Sequence, residues 1–366
     1  MRRRCSSMLK RLSSQQGMTL VEMLVAMAIS LVVVADIYQI FVSSATGYSY
    51  NVQLARLQEN GRFAVDFLAK DVRVAAYRGC ENDVDLINGL NNANSIPYDY
   101  AVGITGYDNV ASPVPAELTA AGITPNAGTD VLILRGQITN DITLFNSKTG
   151  AANLDLVLNT IEPGACADGS TRYDGICQWD ILMISDCRKA RIFQATSLTS
   201  TTGNTILNVV HAGSGTPGNK ASATSWGGNG APASEQFGTE AEVVKYATKS
   251  YFIQNNAAGK PGLYRKLDAG VAQEMVPGVE SLQVLYGEDT NNDDNVDSYV
   301  TANAVSDWAR VLSVRIGLLV RSPDEIGRKE TDVSTYQVNG QAVDPMDDRR
   351  LRRVYVSTVG IRNRLP

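Results

Sequence analysis

An apolar run near the N-terminus constrains this chain more than any other feature of its sequence. Residues 18–35 read MTLVEMLVAMAISLVVVA, which is close to the roughly 20 residues that a membrane helix requires. Glu22 is the one ionisable residue in the run. A carboxylate inside a membrane is unfavourable unless it has a partner or a function. The run therefore predicts a membrane-spanning helix whose carboxylate is functional.

The residues before this run distinguish three kinds of N-terminal segment. The leader contains basic residues and no acidic ones: Arg2, Arg3, Arg4, Lys10 and Arg11. A cleaved secretory signal has a shorter apolar core followed by small residues at its cleavage site. Here the apolar run is too long, and Asp36 follows it directly without an A-x-A cleavage site. A simple signal anchor leaves Glu22 unexplained. The third possibility is a cut on the cytoplasmic side, directly after Gly17, with the basic leader retained in the cytoplasm.

The residues around Gly17 resemble the prepilin peptidase motif. In that motif a Gly precedes the cut and a Glu is the fifth residue after it, as in Gly17-Met18-Thr19-Leu20-Val21-Glu22. Most family members have Phe where this chain has Met18. The resemblance implies cleavage between Gly17 and Met18, N-methylation of Met18, and pairing of Glu22 with the N-terminal amine of a neighbouring subunit. Such a partner would make a buried carboxylate tolerable.

The helix is predicted to continue beyond the membrane, from Thr19 to about Ala76, because no proline occurs before Pro97. At about 1.5 Å per residue it would be close to 90 Å long. Its second half is amphipathic, with apolar residues at helical spacing. Gly47 and Gly61 are expected to soften it, since each costs about 1 kcal/mol against Ala. A coiled-coil stalk is the alternative, but sustained heptads are missing. The apolar positions are Leu54, Leu57, Ala64, Leu68 and Ala75.

Beyond residue 80 the sequence changes to short β-rich runs separated by Gly, Asn, Ser and Pro. The alternation in Arg310–Arg321 predicts an antiparallel sheet with one face on the core and the other towards solvent. The stretch Ser197–Gly238, which includes WGGNGAP at Trp226–Pro232, is predicted to be mostly exposed loop. The predicted strands are Asp130–Leu134, Asp180–Ser185, Ala190–Thr196, Thr205–Val210, Val243–Gln254, Leu263–Lys266, Val279–Tyr286, Arg310–Arg321 and Val354–Ile361.

Four segments of the body resemble the PilW family of minor pilins: Gln58–Cys80, Asp180–Cys187, Gly278–Thr290 and Arg310–Ser322. The resemblance implies an α+β, type IV pilin-like fold, in which a long N-terminal helix packs on an antiparallel β-sheet body. It divides the chain into a leader (1–17), a transmembrane and assembly half of the helix (18–44), and a periplasmic globular domain that includes the amphipathic half (45–366).

The same resemblance implies a function in twitching-type pili. The chain would be inserted in the bacterial inner membrane, then incorporated into the pilus fibre, where it would prime assembly at or near the tip. Its partners would be other minor pilins, the major pilin, prepilin peptidase, the inner-membrane assembly platform and the lipid bilayer. Two alternatives remain open: a J-type minor pseudopilin of type II secretion, and a tip adhesin that binds through Ser197–Gly238.

Four of the five cysteines lie outside the leader, and they predict two disulfides in an oxidising compartment. The residues are Cys80, Cys166, Cys177 and Cys187; Cys5 lies in the leader. The strand-like run between Cys177 and Cys187 would separate them by on the order of 30 Å, whereas a disulfide needs Cα atoms within about 7 Å. Of the three pairings, two remain. We favour the one that joins Cys166 to Cys177 across a Gly-containing loop and Cys80 to Cys187, which would connect the end of the helix to the sheet.

Oxygen-bearing side chains occupy alternate positions of one acidic segment and predict a tentative calcium site: Asp289, Asn291, Asp293, Asn295 and Asp297. This spacing begins an EF-hand loop. Two positions depart from the pattern, because Asp294 replaces the expected Gly and Val300 replaces the bidentate Glu. A solvated acidic hairpin loop is the alternative. No other cofactor is expected.

Charge and motif content argue against enzymatic and nucleic-acid functions. Without the five basic residues of the leader, 28 Lys and Arg remain against 38 acids, a net charge of −10, whereas nucleic-acid affinity comes largely from Lys and Arg. His211 is the only histidine, so the sequence offers too few histidines to favour a catalytic triad or a zinc–histidine site. The DDRRLRR run at 347–353 is predicted to be a solvated, charged turn beside the last strand. The chain is predicted to be a structural protein, not an enzyme.

Overall fold

The computed structural model describes residues 17–80, 84–138, 142–146, 153–201, 203–220, 235–327 and 330–365. It contains a long helix α1 (Leu20–Arg73) followed by a body rich in strands. Contacts divide the chain into two units, one ending at Val52 and the other beginning at Gln53. In the described part of the first unit, residues 17–52, nearly all side chains are exposed. The predicted α+β architecture is confirmed.

In the described part of the body there is one further α-helix, α2 (Ala116–Ala120), together with the strands of several sheets. The strands are β1 (Asp85–Asn88), β2 (Ile104–Tyr107), β3 (Val131–Gln137), β4 (Ile142–Asn146), β5 (Asn153–Val157), β6 (Ile161–Glu162), β7 (Arg172–Tyr173), β8 (Ile181–Ser185), β9 (Lys189–Gln194), β10 (Ser197–Thr201), β11 (Ile206–Val210), β12 (Glu242–Asn255), β13 (Pro261–Leu267), β14 (Gln273–Pro277), β15 (Val279–Glu288), β16 (Ser298–Val300), β17 (Val311–Arg321), β18 (Tyr336–Val338), β19 (Gln341–Val343) and β20 (Arg352–Gly360).

Two sheets build most of the body. The larger is branched: one path runs β1-β9-β8-β12-β4-β5-β11-β10, and β3 and β13 also pair with the long strand β12. The smaller has the order β16-β15-β17-β20. Neighbouring strands are antiparallel in both sheets except for β1 and β9, which are parallel. The mostly antiparallel body agrees with the sequence prediction.

The second half of α1 packs into the main core. Its buried residues recur at helical spacing and include Leu57, Ala64, Leu68 and Val72. They share one cluster with buried residues from β2, β3, β12 and β13 of the larger sheet and from β15, β17 and β20 of the smaller one. The amphipathic face predicted for this part of the helix therefore joins the two sheets through a common apolar core.

A buried polar contact also attaches the helix to the larger sheet. The Asp71 carboxylate accepts a hydrogen bond from Lys249 Nζ at 2.7 Å and another from the Tyr251 hydroxyl. All three residues lie at the apolar core, where a carboxylate without partners would be strongly destabilising. The pair of donors on β12 therefore fixes where the end of α1 contacts this sheet.

The helix ends earlier than predicted, at Arg73 instead of about Ala76. Ala75 forms a β-bridge with Gly136, and the Ala76 amide donates a hydrogen bond to the Arg135 carbonyl at 2.8 Å. Ala76 also has a φ of 60°, which a right-handed helix does not allow. Pairing with β3 therefore replaces the last helical turn.

One prediction about exposure is wrong, and one about a loop is wrong for its first residues. Strand β17 is buried along nearly all its length, on both faces, because the β18–β19 hairpin covers one of them: Val338 and Asn339 contact Gly317. The beginning of the predicted loop Ser197–Gly238 forms strand β10, which pairs with β11 along five residues. Residues 221–234 of that stretch, which include Trp226–Pro232, lie outside the described residues.

Gly61 has a packing function that the sequence did not indicate. A Cβ atom on Gly61 would overlap the Tyr355 ring, whereas one on Gly47 would have no neighbouring heavy atom within 4 Å. The Tyr355 hydroxyl donates to the Leu57 carbonyl at 3.3 Å, which places the ring on the helix backbone. Gly61 thus allows β20 to approach α1 closely.

A Gly61→Ala variant is expected to lower the free energy of unfolding by about 1–3 kcal/mol, because overpacking displaces the Tyr355 ring. Gly47→Ala is the matched control, since the same methyl group meets no neighbour and favours the helix by about 1 kcal/mol. Thermal unfolding of the full chain in detergent micelles, followed by near-ultraviolet circular dichroism, measures both. Equal melting temperatures for Gly61→Ala and the parent chain would contradict this account.

Candidate functional site: the N-terminal segment

The residues predicted to be processed lie immediately before α1. Gly17 and Met18 precede the helix, and the Met18 side chain is 72% exposed. Glu22 lies in the first turn. The three predicted site residues are thus brought together at the start of one exposed helix. Residues 1–16, which make up the rest of the predicted leader and include Cys5, lie outside the described part of the chain.

Thr19 and Glu22 form a capping box at the helix N-terminus. The Glu22 carboxylate accepts from the Thr19 amide at 2.9 Å and from the Thr19 hydroxyl at 3.0 Å. In return, the Thr19 hydroxyl accepts from the Glu22 amide at 3.3 Å. This reciprocal arrangement satisfies amide groups that have no partner within the helix. The T-x-x-E spacing was visible in the sequence, but its capping function was missed.

The helix that follows is long and apolar enough to cross a membrane, and none of its most apolar 18-residue window is buried within the protein. Polar side chains in this region bond to the helix itself. Ser30 donates to the Met27 carbonyl at 2.9 Å, and Thr46 donates to the Val42 carbonyl at 2.8 Å. Such internal hydrogen bonds suit an apolar environment, where a hydroxyl group without a partner is unfavourable.

Two disulfides stabilise the body, in the pairing that we favoured from the sequence. Cys80 bonds to Cys187 with a Cα–Cα distance of 5.1 Å, and Cys166 bonds to Cys177 with 5.9 Å. The first connects the segment after α1 to the turn between β8 and β9. Next to it, the Ser185 hydroxyl donates to the Arg78 carbonyl at 2.8 Å. The second closes a short loop between β6 and β8.

In the acidic segment, the carboxylates of Asp289, Asp293 and Asp297 accept hydrogen bonds from their own loop. Asp297 accepts from the amide and the hydroxyl of Thr290 at 2.8 and 2.7 Å. Those hydrogen bonds hold the pKa of Asp297 below its usual value. The Asp289 carboxylate accepts from four successive amides, those of Asn291, Asn292, Asp293 and Asp294.

The other predicted calcium ligands are exposed in the same loop. Asn291 donates to the Asp297 carboxylate at 3.1 Å, and Asn295 donates to the Asp293 carbonyl at 3.0 Å. Asp294 has a φ of 64°, the conformation for which an EF-hand uses glycine. Among the residues that the structure describes, no group of three or more His, Cys, Asp or Glu could hold a metal ion. Calcium binding by this loop stays a prediction.

The predicted solvated turn at 347–353 is wrong in one respect, because Arg352 has no exposed side-chain area. Its guanidinium contacts Glu280 at 2.7 Å and Asp348 at 2.7 Å, and lies 3.7 Å from Asp332. Arg349, which is half-exposed, contacts Glu325 at 3.3 Å. Part of the basic cluster therefore neutralises the protein's own carboxylates. Nothing in the one-dimensional run distinguishes Arg352 from its exposed neighbours.

Comparison with known families gives two matches. The family described as Type IV Pilus-assembly protein W matches residues 250–363, from within β12 to beyond β20. The prokaryotic N-terminal methylation motif matches residues 12–35, which include Gly17, Met18 and Glu22. Together these matches support a PilW-family type IV minor pilin. Neither a curated protein nor a solved structure matches the chain.

Both matches agree with the geometry of the two ends of the chain. The methylation motif falls on the exposed apolar helix, and the longer match covers the smaller sheet that packs on the second half of α1. A type IV pilus assembly family implies interaction with other pilus components and suggests a structural, non-enzymatic protein. The methylation motif and the apolar helix suggest membrane anchoring.

Proposed function

We propose that this PilW-family chain is a minor pilin that is cut by prepilin peptidase between Gly17 and Met18 and then methylated on Met18. Residues 18–44 hold it in the inner membrane, with residues 45–366 in the periplasm, until it enters a type IV pilus. There it primes assembly at or near the tip. The observation that carries the proposal is the exposed apolar helix, which begins at Leu20, shortly after Gly17, and has Glu22 in its first turn.

The exposed helix supports two successive environments for the same residues. A helix whose apolar side chains have no protein partner must be covered by lipid or by other apolar helices. In the membrane, lipid covers it; in a fibre, the equivalent helices of neighbouring subunits do so. The transfer between the two requires no change of fold, because the body has its own core and its own disulfides.

Glu22 guides this assembly through its charge. In the single chain its carboxylate bonds to Thr19. Cleavage after Gly17 creates a positively charged amine on Met18, and the amine of an adjacent subunit is a suitable partner for Glu22 in an apolar fibre core. On this account, Glu22 exchanges its hydrogen bonds to Thr19 for a pair with the amine of the neighbouring subunit. This pair fixes the position of the incoming subunit along the fibre axis.

Two substitutions separate the charge of Glu22 from its capping function. Glu22→Gln keeps an acceptor at the third helical position, so the cap is retained, but it removes the charge. Thr19→Ala removes the capping hydroxyl, at a cost of about 1 kcal/mol to the helix, but retains the charge. We expect both variants to be processed and only Glu22→Gln to enter sheared pili poorly, as measured by immunoblot. Poor incorporation of Thr19→Ala alone would contradict the pairing.

Deletion of the gene distinguishes this function from its alternatives. Loss of surface pili, restored by the parent chain, is expected for a priming subunit. Normal pili with lost attachment would instead favour a tip adhesin, and normal pili with lost protein export would favour a type II secretion pseudopilin. Electron microscopy, an attachment assay and a secretion assay on the same strain therefore decide between the three functions.

A further inference from the structure

A cavity of about 780 Å³ lies in the body of the protein, and its lining residues all come from the second unit. Its walls come from residues 94–99, β2, α2, β3 and the turns before β17. The volume falls within the range of small-molecule sites, about 300–1,000 Å³. Its lining combines one guanidinium, two carboxylates and three aromatic rings: Arg135, Asp99, Glu117, Tyr98, Tyr107 and Trp308.

Arg135 is an unusual residue in this wall because its side chain is almost entirely buried, with 2% of the residue exposed. Its Nη1 donates to the Val102 carbonyl at 3.1 Å and to the Thr105 hydroxyl at 3.0 Å, and its Nη2 donates to the Ile96 carbonyl at 3.3 Å. All three acceptors are neutral. Arg135 forms no ion pair with any described carboxylate, although buried guanidinium groups are normally paired with an anion.

Two of the five N–H groups of Arg135 are left over. Nε is buried and has no acceptor, and one hydrogen of Nη2 remains after the bond to Ile96. Nε and Nη2 form one edge of the guanidinium, the edge that can present two parallel N–H groups. Parallel N–H groups of this kind match the two oxygens of a carboxylate. Burial lowers the pKa of Arg135, whereas the nearby charge of Asp99 raises it.

We propose that this cavity binds a small monocarboxylate with a flat apolar body, and that the free edge of Arg135 receives its carboxylate. The rings of Tyr98, Tyr107 and Trp308 supply apolar walls for the rest of the molecule. Asp99 and Glu117 add negative charge to the lining, which disfavours ligands with more than one carboxylate. The three neutral acceptors hold the guanidinium in place before the ligand arrives.

This assignment concerns a part of the chain outside the proposed assembly function. The cavity lies between residues 94 and 308, whereas processing and incorporation depend on the segment that begins at Gly17. A pilin that fails to bind the ligand is therefore expected to enter pili normally. The two proposals can fail separately.

Benzoate is a suitable probe, with benzyl alcohol as its uncharged counterpart and inorganic phosphate as a non-planar anion. Isothermal titration calorimetry of the full chain in detergent micelles, with empty micelles subtracted, should give saturable binding of benzoate. Arg135→Gln should weaken this binding tenfold or more, roughly the effect of a hydrogen bond to a charged group. Asp99→Asn should strengthen it about two- to fivefold, because it removes a nearby like charge.

Asp66→Asn is the control for the change of charge, since Asp66 is exposed on α1 and pairs with the exposed Arg62; it should leave benzoate affinity unchanged. If Arg135→Gln fails to fold, the gain in Asp99→Asn still tests the proposal. If Arg135 has only a structural role, the parent chain should show no saturable binding of benzoate. That result would overturn the inference. Equal affinity for benzyl alcohol or for phosphate would overturn it as well.

Discussion

A Gly17→Glu variant is expected to accumulate as an uncut precursor that still contains residues 1–17. The physical reason is local: Gly17 lies shortly before the exposed start of α1 at Leu20, and a residue without a side chain lets a peptidase approach the backbone closely. A glutamate there adds bulk and negative charge at the bond to be cut. Methylation and the pairing of Glu22 should both be lost completely in the uncut variant, because both depend on the amine that cleavage creates on Met18.

Intact-mass spectrometry of the purified protein measures this outcome directly. The parent chain should begin at Met18 and have the added mass of one methyl group, whereas the variant should retain the leader and lack the methyl group. Ser13→Glu is the matched control, since it adds the same side chain within the leader but away from the cut. Normal maturation of Gly17→Glu would refute the assignment of residues 1–17 as a leader.

Removal of the Cys80–Cys187 disulfide is expected to have the largest effect on the stability of the body. The two cysteines are 107 residues apart, against 11 for Cys166 and Cys177. A cross-link restricts the unfolded chain more when it closes a longer loop, so the chain-entropy account predicts losses of about 5 kcal/mol for the first pair and about 3 kcal/mol for the second. Domains have only about 5–15 kcal/mol of stability in all, so the first loss is severe.

The double variants Cys80→Ser/Cys187→Ser and Cys166→Ser/Cys177→Ser test this order. Thermal unfolding of the full chains in the same detergent should place the first variant below the second and both below the parent. The parent chain under reducing conditions provides the control, because it should melt no higher than the less stable variant. If Cys166→Ser/Cys177→Ser melted at a lower temperature than Cys80→Ser/Cys187→Ser, the loop-length argument would be contradicted.

The disulfide pairing illustrates how far a spacing argument can reach. The strand between Cys177 and Cys187 excludes that pair by distance alone, and β8 indeed separates the two residues. The choice between the other pairings depended on an expected contact between the end of α1 and the sheet. In the structure that contact includes the bond from Ser185 to Arg78, which no spacing rule indicates.

Exposure was harder to predict than the presence of a strand. The alternating residues of β17 indicated one solvated face, but the β18–β19 hairpin, which comes later in the chain, covers it. Arg352 shows the same limitation. It belongs to a run of charged residues that reads as solvated, yet Glu280 on β15 and Asp348 neutralise it within the protein. Long-range pairing decides both cases.

The N-terminal segment was determined by the sequence itself, because its chemistry depends on neighbours along the chain. The apolar run, the Gly before it and the Glu in its first turn all act within one or two helical turns, and the capping box of Thr19 and Glu22 could have been predicted in the same way. Only the tertiary structure decided the roles of Gly61 and Arg135. Gly61 is packed under Tyr355, which is almost 300 residues later in the chain, and Arg135 is buried by segments that the sequence keeps apart. Local spacing specifies a helix and predicts a processing site before it, whereas burial and unsatisfied hydrogen bonds arise only when distant segments pack together.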